Sequence, residues 1–380
     1  MTSRPKTHLC IATGQNLPNL IAALQLSASR VLIVETPAMQ ESARYLRAAL
    51  VEHGIDVEHH SFDDADPKGI VASAESLALK LGQTPMIFNV TGGHKLMTLA
   101  LSEQLRMADD LHVIYCETPR GRIDWLSPNA ETESLGNLLS IDDVLRVQGF
   151  RIQKRGEADA YWAAEADQRK LLTKELGDHA DKLARFFGTL NRLADQCLGN
   201  EPNGPWLFQQ ELEFVPGGRP AEILNRAVEA QLLSWDGDTS VVFRSEAAAR
   251  YFRGGWLEEY AWLKLRGIKP KDWSLNLQAV GIKSQSPNEF DALVVHHNKL
   301  LMIECKTSRF GRDSMKDASY IYKLAQLAQQ VGGSMARSLL LSARQVSEEV
   351  RKRATESRVE ILAAEDVRKL PEFLRTWMNA

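Results

Sequence analysis

The sequence predicts an α/β protein with two sheet-containing domains, and three observations lead to this prediction. The chain has 380 residues, which is more than one ordinary hydrophobic core accommodates. Its first 148 residues alternate short apolar runs with helical patterns, which is typical of a parallel, doubly wound sheet. From residue 206 onward a different order begins, with a helix, a turn, apolar strands and further helices.

The N-terminal domain is predicted over residues 1–148. Apolar residues spaced three and four apart predict helices between its strands. The strands are predicted from short runs rich in Val and Ile, at 8–13, 31–36, 86–90 and 112–117.

Residues 149–205 are predicted to be a helical connector, because they are strongly charged and carry helical patterns up to the turn-forming "NEPNGP" at 200–205. The C-terminal domain is then predicted over 206–380. Its elements include a helix at 254–267, an apolar hairpin around residue 297, a helix at 318–331 and a strand at 338–342.

The composition is that of an average globular protein, with 44% hydrophobic and 25% charged residues. We find no signal peptide and no apolar run of membrane-spanning length, so we expect a cytoplasmic protein without membrane contact. The net charge of −3 gives no general attraction to nucleic acid, so such binding would need a local basic groove. The cysteines lack metal-site spacing and are expected to be reduced thiols: Cys10, Cys116, Cys197 and Cys305.

The hairpin "EFDALVVHHNKLLMIECKTS" contains the main candidate for chemistry. A two-residue turn at His297 and Asn298 would place Asp291 directly across from Glu304. Two opposed carboxylates repel each other, so the pairing makes sense if a cation lies between them. Side chains alternate along a strand, so Lys306 shares the face of Glu304.

Carboxylate oxygens favour hard cations, which predicts an Mg²⁺ or Mn²⁺ site at Asp291 and Glu304, with the backbone carbonyl of Cys305 as a further ligand. Lys306 is predicted to orient or deprotonate the attacking water, or to stabilise a pentavalent phosphate. A third carboxylate is expected from the helix at 254–267. Glu258 is the favoured candidate and Glu259 is the alternative.

The simplest alternative explanation is structural, since a Glu-x-Lys triplet on a strand often forms only a salt bridge. The facing aspartate and the upstream helix glutamate favour the catalytic interpretation. Basic residues that follow the strand closely are candidates for contacts to a nucleic-acid backbone: Arg309, Arg312 and Lys316.

Two loops of the N-terminal domain predict a ligand site. Each follows an apolar strand and opens a helix, and in an open α/β sheet both lie at the carboxyl ends of the strands, where ligands bind. Neither loop is a Walker A or GxGxxG motif, which argues against ATP hydrolysis and dinucleotide binding. The candidate residues are Thr13, Gly14, Gln15 and Asn16 in the first loop, and Thr91, Gly92, Gly93, His94 and Lys95 in the second.

The order helix glutamate, aspartate, Glu-x-Lys resembles the PD-(D/E)xK nuclease superfamily, with Phe290-Asp291 at the "PD" position and Glu304-Cys305-Lys306 as the second part. "TGGHK", "GGWLEEY", "NEFD" and "ECKTS" together resemble the CRISPR-associated CARF-domain nucleases, although His94 departs from the usual TGGTK. This resemblance covers nearly the whole chain. It implies a Rossmann-like CARF domain fused to a PD-(D/E)xK domain.

The same resemblance implies a type III antiviral effector. Its activator would be a cyclic oligoadenylate, with cyclic tetra-adenylate expected, and its cofactor Mn²⁺ or Mg²⁺. Its substrate would be single-stranded DNA and/or RNA, with nicking of duplex DNA also open. A homodimer is implied as well, and a ring of four repeats presents the same face to two identical subunits.

Two other classes of function are left open by the sequence. One is a constitutive repair or restriction nuclease whose N-terminal domain only dimerises. The other is a ligand-sensing DNA-binding regulator, in which residues 218–243 act as a winged helix. The acidic set argues against the regulator, because a protein that only binds gains nothing from opposed carboxylates.

Overall fold

The structure is a computed structural model that describes residues 4–108, 110–199, 206–308 and 314–380, with the side chains of 314–318 left out of the description. The N-terminal elements, in chain order, are β1 (Thr7–Ile11), α1 (Leu17–Gln25), β2 (Arg30–Glu35), α2 (Gln40–Glu52), β3 (Asp56–Ser61), α3 (Pro67–Leu81), β4 (Met86–Asn89), α4 (Lys95–Leu105), β5 (Leu111–Glu117), β6 (Arg122–Ser127), β7 (Glu131–Ser134) and α5 (Ile141–Val147).

The N-terminal strands in the described residues form one sheet in the order β3-β2-β1-β4-β5-β6-β7. The pairs from β3 to β5 are parallel, while β6 and β7 continue the sheet in antiparallel fashion. The predicted Rossmann-like sheet is therefore confirmed. Strand β3, with the sequence DVEHHS, was not predicted because it lacks an apolar run.

The remaining elements begin within the predicted connector. They are β8 (Phe150–Lys154), α6 (Ala160–Gln168), α7 (Lys170–Asp178), α8 (Ala180–Leu198), β9 (Gln209–Glu211), α9 (Arg219–Glu229), β10 (Leu233–Ser234), β11 (Ser240–Phe243), α10 (Glu246–Arg250), α11 (Trp256–Ile268), β12 (Asp272–Gly281), β13 (Pro287–His296), β14 (Lys299–Lys306), α12 (Ser314–Gly332), β15 (Ala336–Ser342), α13 (Glu348–Glu356), β16 (Val359–Ala363) and α14 (Leu370–Asn379).

The larger C-terminal sheet, as far as the structure describes it, has the order β16-β15-β14-β13-β12-β8. Strands β14, β15 and β16 are parallel, whereas β12, β13 and β14 form antiparallel pairs. Strand β8 lies antiparallel to β12 at the sheet edge. The segment predicted as a purely helical connector thus contributes a strand to this sheet, because its short FRIQK run pairs with a distant partner.

Helix α5 links the cores of the two sheets. A capping box begins this helix, in which the Ser140 side chain and Asp143 satisfy each other's backbone N–H groups. Its buried Leu145 belongs to one apolar cluster that contains Leu20 of the N-terminal domain and Leu293 of the C-terminal sheet. The two sheets are therefore packed through a shared core rather than joined by a free linker.

The opposite face of the C-terminal sheet is covered by α8 and α11. Trp256, which begins α11, is 1% exposed and stacks on Phe187 of α8 with ring centroids 4.7 Å apart. This packing fixes the orientation of α11 against the sheet. Within the described residues, no helix has the length and apolar character needed to cross a lipid bilayer.

Candidate functional site

The β13–β14 hairpin has the register that the sequence predicts. Leu293 pairs with Met302, and His296 pairs with Lys299. The intervening His297 and Asn298 both have positive φ, of 47° and 61°, as a tight two-residue turn requires. The Oδ2 atom of Asp291 accepts a hydrogen bond from the backbone N–H of Cys305 at 2.7 Å.

The acidic side chains of this hairpin lie close to one carboxylate of helix α11. Burial raises the pKa of the Asp291 carboxyl, and the negative charges of Glu304 and Glu258 raise it further. Burial likewise raises the pKa of Glu258, with additional contributions from Glu289 and Glu304. These charge interactions place Glu258, Asp291 and Glu304 near one another at the end of the hairpin.

The adjacent Glu259 has a structural role. Its side chain is 1% exposed, and its Oε2 atom accepts a hydrogen bond from Arg169 Nε at 2.8 Å. Its Oε1 atom accepts a second one from Thr173 Oγ1 at 2.6 Å. Of the two glutamates that the sequence left open, Glu258 therefore faces the acidic site and Glu259 faces the helical layer.

Lys306 lies on the same face as Glu304, and Nζ is 3.3 Å from Glu304 Oε1. Its ammonium also lies over the ring of Tyr320, 4.7 Å from the centroid. The Tyr320 hydroxyl donates a hydrogen bond to Glu304. Burial and the charge of Glu304 raise the pKa of Tyr320, so the hydroxyl stays protonated and remains a donor.

Sequence reasoning missed two members of this site. Tyr320 lies on α12, and its sequence context, an amphipathic helix, carries no signal for a carboxylate contact. Glu289 precedes Asp291 by two residues on the same strand, so strand alternation was a usable signal for it. The thiol of Cys305 points to the other face, where it is 8% exposed within an apolar cluster.

Among the described residues, no group of three acidic, histidine or cysteine side chains has the geometry of a metal site. Asp291 and Glu304 use oxygens for hydrogen bonds to Cys305 and Tyr320 instead. The chemistry of the set nevertheless fits a hard cation, because the pKa values of Asp291 and Glu258 are raised even with the Lys306 ammonium beside the site.

The two predicted ligand loops are neighbours in space, because β1 and β4 are adjacent parallel strands. The second loop is fastened by Thr91, whose hydroxyl donates to Asn89 Oδ1 at 2.6 Å and accepts from Cys116 N at 2.6 Å. Gly93 has φ +97°, and a Cβ there would lie 2.7 Å from the Ile11 side chain. Only glycine therefore fits this close approach of the two loops.

The loop candidates divide into buried and exposed residues. Asn16 is 1% exposed, and its Oδ1 atom accepts a hydrogen bond from Thr13 N at 3.0 Å, so it holds the first loop in shape. The candidates exposed to solvent lie at the rim of the two loops: Gly14, Gln15, Gly93, His94 and Lys95.

A cavity of about 560 Å³ opens beside Glu258. The predicted connector contributes Lys154 and Trp162 to its lining, and the segment before α11 contributes Arg250 and Arg253. Arg309, Arg312 and the side chain of Lys316 lie outside the described residues.

The fold and the site together define a class of protein. An open α/β sheet with two ligand-type loops at its carboxyl edge is packed on a sheet whose hairpin and helix bring together Glu258, Asp291, Glu304 and Lys306. This is the architecture of a ligand-sensing domain fused to a nuclease of the PD-(D/E)xK type.

Comparison with protein families specifies the class. Residues 7–144 match the family described as Card1 CARF domain, and residues 245–380 match the family described as Card1-like, endonuclease domain. The chain therefore belongs to the CARF-fused nucleases. No curated protein sequence matches it at a significant level.

Solved structures share the fold. Protein VC1899 from Vibrio cholerae is 22% identical, with a TM-score of 0.83 over 98% of each chain. Can2 from Sulfobacillus thermosulfidooxidans, solved in complex with cyclic tetra-adenylate, is 23% identical, with a TM-score of 0.79 over 98% of this chain and 99% of that one. A type III CRISPR defence DNA nuclease activated by cyclic oligoadenylate is 17% identical, with a TM-score of 0.52 over 91% of this chain and 46% of its own.

Proposed function

We propose that this protein is a metal-dependent endonuclease of type III CRISPR defence that a cyclic oligoadenylate switches on. The observation that carries the proposal is the convergence of Glu258, Asp291 and Glu304 around Lys306 at the end of one hairpin. The charges of Glu304 and Glu258 raise the pKa of Asp291 even beside the Lys306 ammonium, and a bound divalent cation would relieve this repulsion.

We assign the metal to Asp291, Glu304 and the backbone carbonyl of Cys305, with Mn²⁺ or Mg²⁺ as the ion. When bound, such an ion neutralises charge on the scissile phosphate and lowers the pKa of a water molecule. Glu258 borders the same space and balances the remaining charge. The assignment requires Glu304 to exchange its hydrogen bond from Tyr320 for a metal contact.

We assign to Lys306 the role of orienting or deprotonating the attacking water, or of stabilising the charge that develops on the phosphate. Its ammonium lies 3.3 Å from a carboxylate oxygen of Glu304, so its charge is held at the acidic cluster. The ring of Tyr320 supports the ammonium from the other side. Lys306 therefore stands within the group that would surround a phosphodiester.

The activator is proposed to bind the two neighbouring loops, with Gln15, His94 and Lys95 as its solvent-exposed contacts. Lys95 begins helix α4, so its charge and the helix N-terminus both favour a phosphate. The family match over residues 7–144 and the Can2 complex with cyclic tetra-adenylate support this ligand class, and we favour the tetra-adenylate.

We propose a homodimer with the α4 surface in its interface. Leu96 and Leu99 of this helix are 47% and 66% exposed, although they directly follow the ligand loop. Exposed leucines beside a binding loop are typical of a surface covered by a partner. A second copy would place the same loops on both sides of a symmetric ring.

The proposed substrate is single-stranded DNA and/or RNA. The cavity beside Glu258 has about 560 Å³, within the roughly 300–1,000 Å³ of pockets that hold small ligands. Such a volume suits unpaired nucleotides next to a scissile bond. Lys154 supplies positive charge in its lining and Trp162 supplies an aromatic surface, while Arg250 and Arg253 are already paired with Glu246 and Asp195. We place the protein in the cytoplasm, where its buried free thiols stay reduced.

The regulator alternative has one structural argument, since α9 is followed by the small antiparallel sheet β10-β11-β9. The basic residues of α9 weaken it. Arg219 and Arg226 lie 2.7 Å and 2.5 Å from the carboxylate oxygens of Glu175, so their charges are already balanced within the protein. We therefore retain the nuclease.

The decisive experiment incubates purified protein with labelled single-stranded DNA, single-stranded RNA and duplex DNA in Mn²⁺, with and without cyclic tetra-adenylate. We expect cleavage of a single-stranded substrate that requires both the metal and the activator. Glu304→Ala serves as the matched control and should be inactive at every activator concentration. Full cleavage by Glu304→Ala would refute the assignment, and cleavage without activator would favour a constitutive nuclease.

A further inference from the structure

The tip of the catalytic hairpin is bound to the N-terminal domain by the side chain of Asn298. This residue is 3% exposed. Its Oδ1 atom accepts hydrogen bonds from the backbone N–H groups of Leu138 at 2.9 Å and Leu139 at 3.1 Å. Its Nδ2 atom donates to the carbonyl oxygen of Gly136 at 2.8 Å. A buried amide with these bonds ties the turn to residues 136–139.

Residues 136–139 are in turn bound to helix α1. The Oε1 atom of Gln25 accepts a hydrogen bond from Gly136 N at 2.8 Å, and its Nε2 atom donates to Glu133 Oε1 at 3.0 Å. Gln25 is the last residue of α1, and this helix begins directly after the 13–16 ligand loop. Gly136 is therefore held by Gln25 on one side and by Asn298 on the other.

The hairpin extends from this contact to the acidic site. Glu304 lies six positions after Asn298 in the chain, or about 20 Å away at the usual rise of a strand. Strand β14 is paired on both sides over this distance, with β13 and with β15. Its side chains from Leu300 to Ile303 are at most 1% exposed. A paired, buried strand is stiff, so a shift at the tip moves Glu304 as well.

We propose that Asn298 is a positioning residue through which the ligand-binding domain sets the position of the catalytic hairpin. The relay consists of the 13–16 loop, α1, Gln25, Gly136 and Asn298, and each contact between elements is a hydrogen bond between named atoms. This inference rests on the proposed function, because it describes how activator binding reaches Asp291 and Glu304.

The turn geometry provides a matched variant. Asn298 has φ 61°, a conformation that glycine adopts as readily as asparagine. Asn298→Gly therefore keeps the turn and removes only the side-chain amide. Gln25→Ala breaks the relay at the preceding contact and leaves the turn unchanged, so it is the second variant should the first fail to fold.

The test compares wild type, Asn298→Gly and Gln25→Ala in two measurements. The first is fold activation, the ratio of the cleavage rates with saturating cyclic tetra-adenylate and without it. The second is hydrogen exchange of the backbone amides of residues 299–306 with and without the same compound. We expect each variant to bind the compound, to lose at least tenfold of the wild-type fold activation, and to lose the exchange response of the hairpin.

The outcomes separate this inference from the proposed function. Wild-type fold activation and exchange response in both variants would overturn the role of Asn298. A wild type that cleaves equally with and without the compound contradicts the proposed activation instead. In that case hydrogen exchange still tests the relay, because the measurement requires binding of the compound but no cleavage. If the wild-type hairpin shows no exchange response to the compound, the relay is overturned. A merely structural Asn298 would lower the melting temperature while fold activation persisted.

Discussion

Glu258 and Glu259 are adjacent in the chain, yet we expect opposite consequences from replacing them with glutamine. Glu259→Gln removes the charge that faces the Arg169 guanidinium, whose Nε lies 2.8 Å from Glu259 Oε2. Arg169 is 8% exposed, and its other acidic neighbour in the described residues, Glu165, is 3.6 Å away. Removing one partner of a buried ion pair costs about 3–5 kcal/mol. Burial raises the pKa of Glu259 as well, so the loss arises from the buried Arg169 charge that is left without its nearest partner. Because Glu165 remains, we expect a loss of about 3 kcal/mol in the free energy of unfolding.

Glu258→Gln should instead leave the protein at least as stable as wild type. Burial and the nearby Glu289 and Glu304 raise the pKa of Glu258, so its charged form is disfavoured in the folded state. A neutral isostere relieves this repulsion. Cleavage, in contrast, should fall by more than a hundredfold, because the acidic site loses one of its converging charges.

The assay is urea unfolding in the presence of EDTA, followed by tryptophan fluorescence, combined with cleavage at a temperature where all variants are folded. Chelation ensures that the stability difference reports the protein alone. An inactive but fully stable Glu259→Gln, together with an active Glu258→Gln, would show that the two roles on α11 are reversed.

Other consequences concern the N-terminal domain. Lys95→Ala should weaken binding of cyclic tetra-adenylate by about 1.5–3 kcal/mol, the range for a hydrogen bond to a charged group. The plot of cleavage rate against activator concentration should shift to higher concentration and keep its plateau. An unshifted plot would contradict a contact between Lys95 and the activator. Gly93→Ala should destabilise the fold by more than about 1 kcal/mol, because φ is +97° and the new Cβ would lie 2.7 Å from the Ile11 side chain. Gly14→Ala is the control and should be nearly neutral, because a Cβ there has nothing within 4 Å. Thermal unfolding measures both variants. Burial, helped by Lys6, lowers the pKa of His8 to about 4, so the unfolded chain is protonated first and stability falls as pH drops from 6.5 towards 4. The difference in unfolding free energy between His8→Leu and wild type should therefore shift by about 2 kcal/mol in favour of the variant between pH 7 and pH 5. A pH-independent difference would refute the buried neutral imidazole.

Several features followed from local sequence because local physics determines them. Apolar alternation and a two-residue turn define the hairpin register, and the structure has that register from Ala292–Ile303 to His296–Lys299. Apolar runs identified the central parallel strands, whose two faces are both covered. Strand β3 was missed because an edge strand with the sequence DVEHHS has no such run.

Other features depend on which distant segments meet, and no local pattern contains that information. Adjacent helix positions point about 100° apart, so only the packing of α11 decides that Glu258 meets the hairpin and Glu259 meets Arg169. Tyr320 reaches Glu304 only because α12 packs on the sheet. Strand β8 belongs to the C-terminal sheet because β12 offers it a free edge. The sequence by itself thus determined the element types, the hairpin and its acidic residues, because these features depend on residues that are close together in the chain. The tertiary structure decided which glutamate of α11 lies beside the hairpin, the contact of Tyr320 with Glu304 and the contact between Asn298 and residues 136–139, because each requires segments far apart in the chain to pack together.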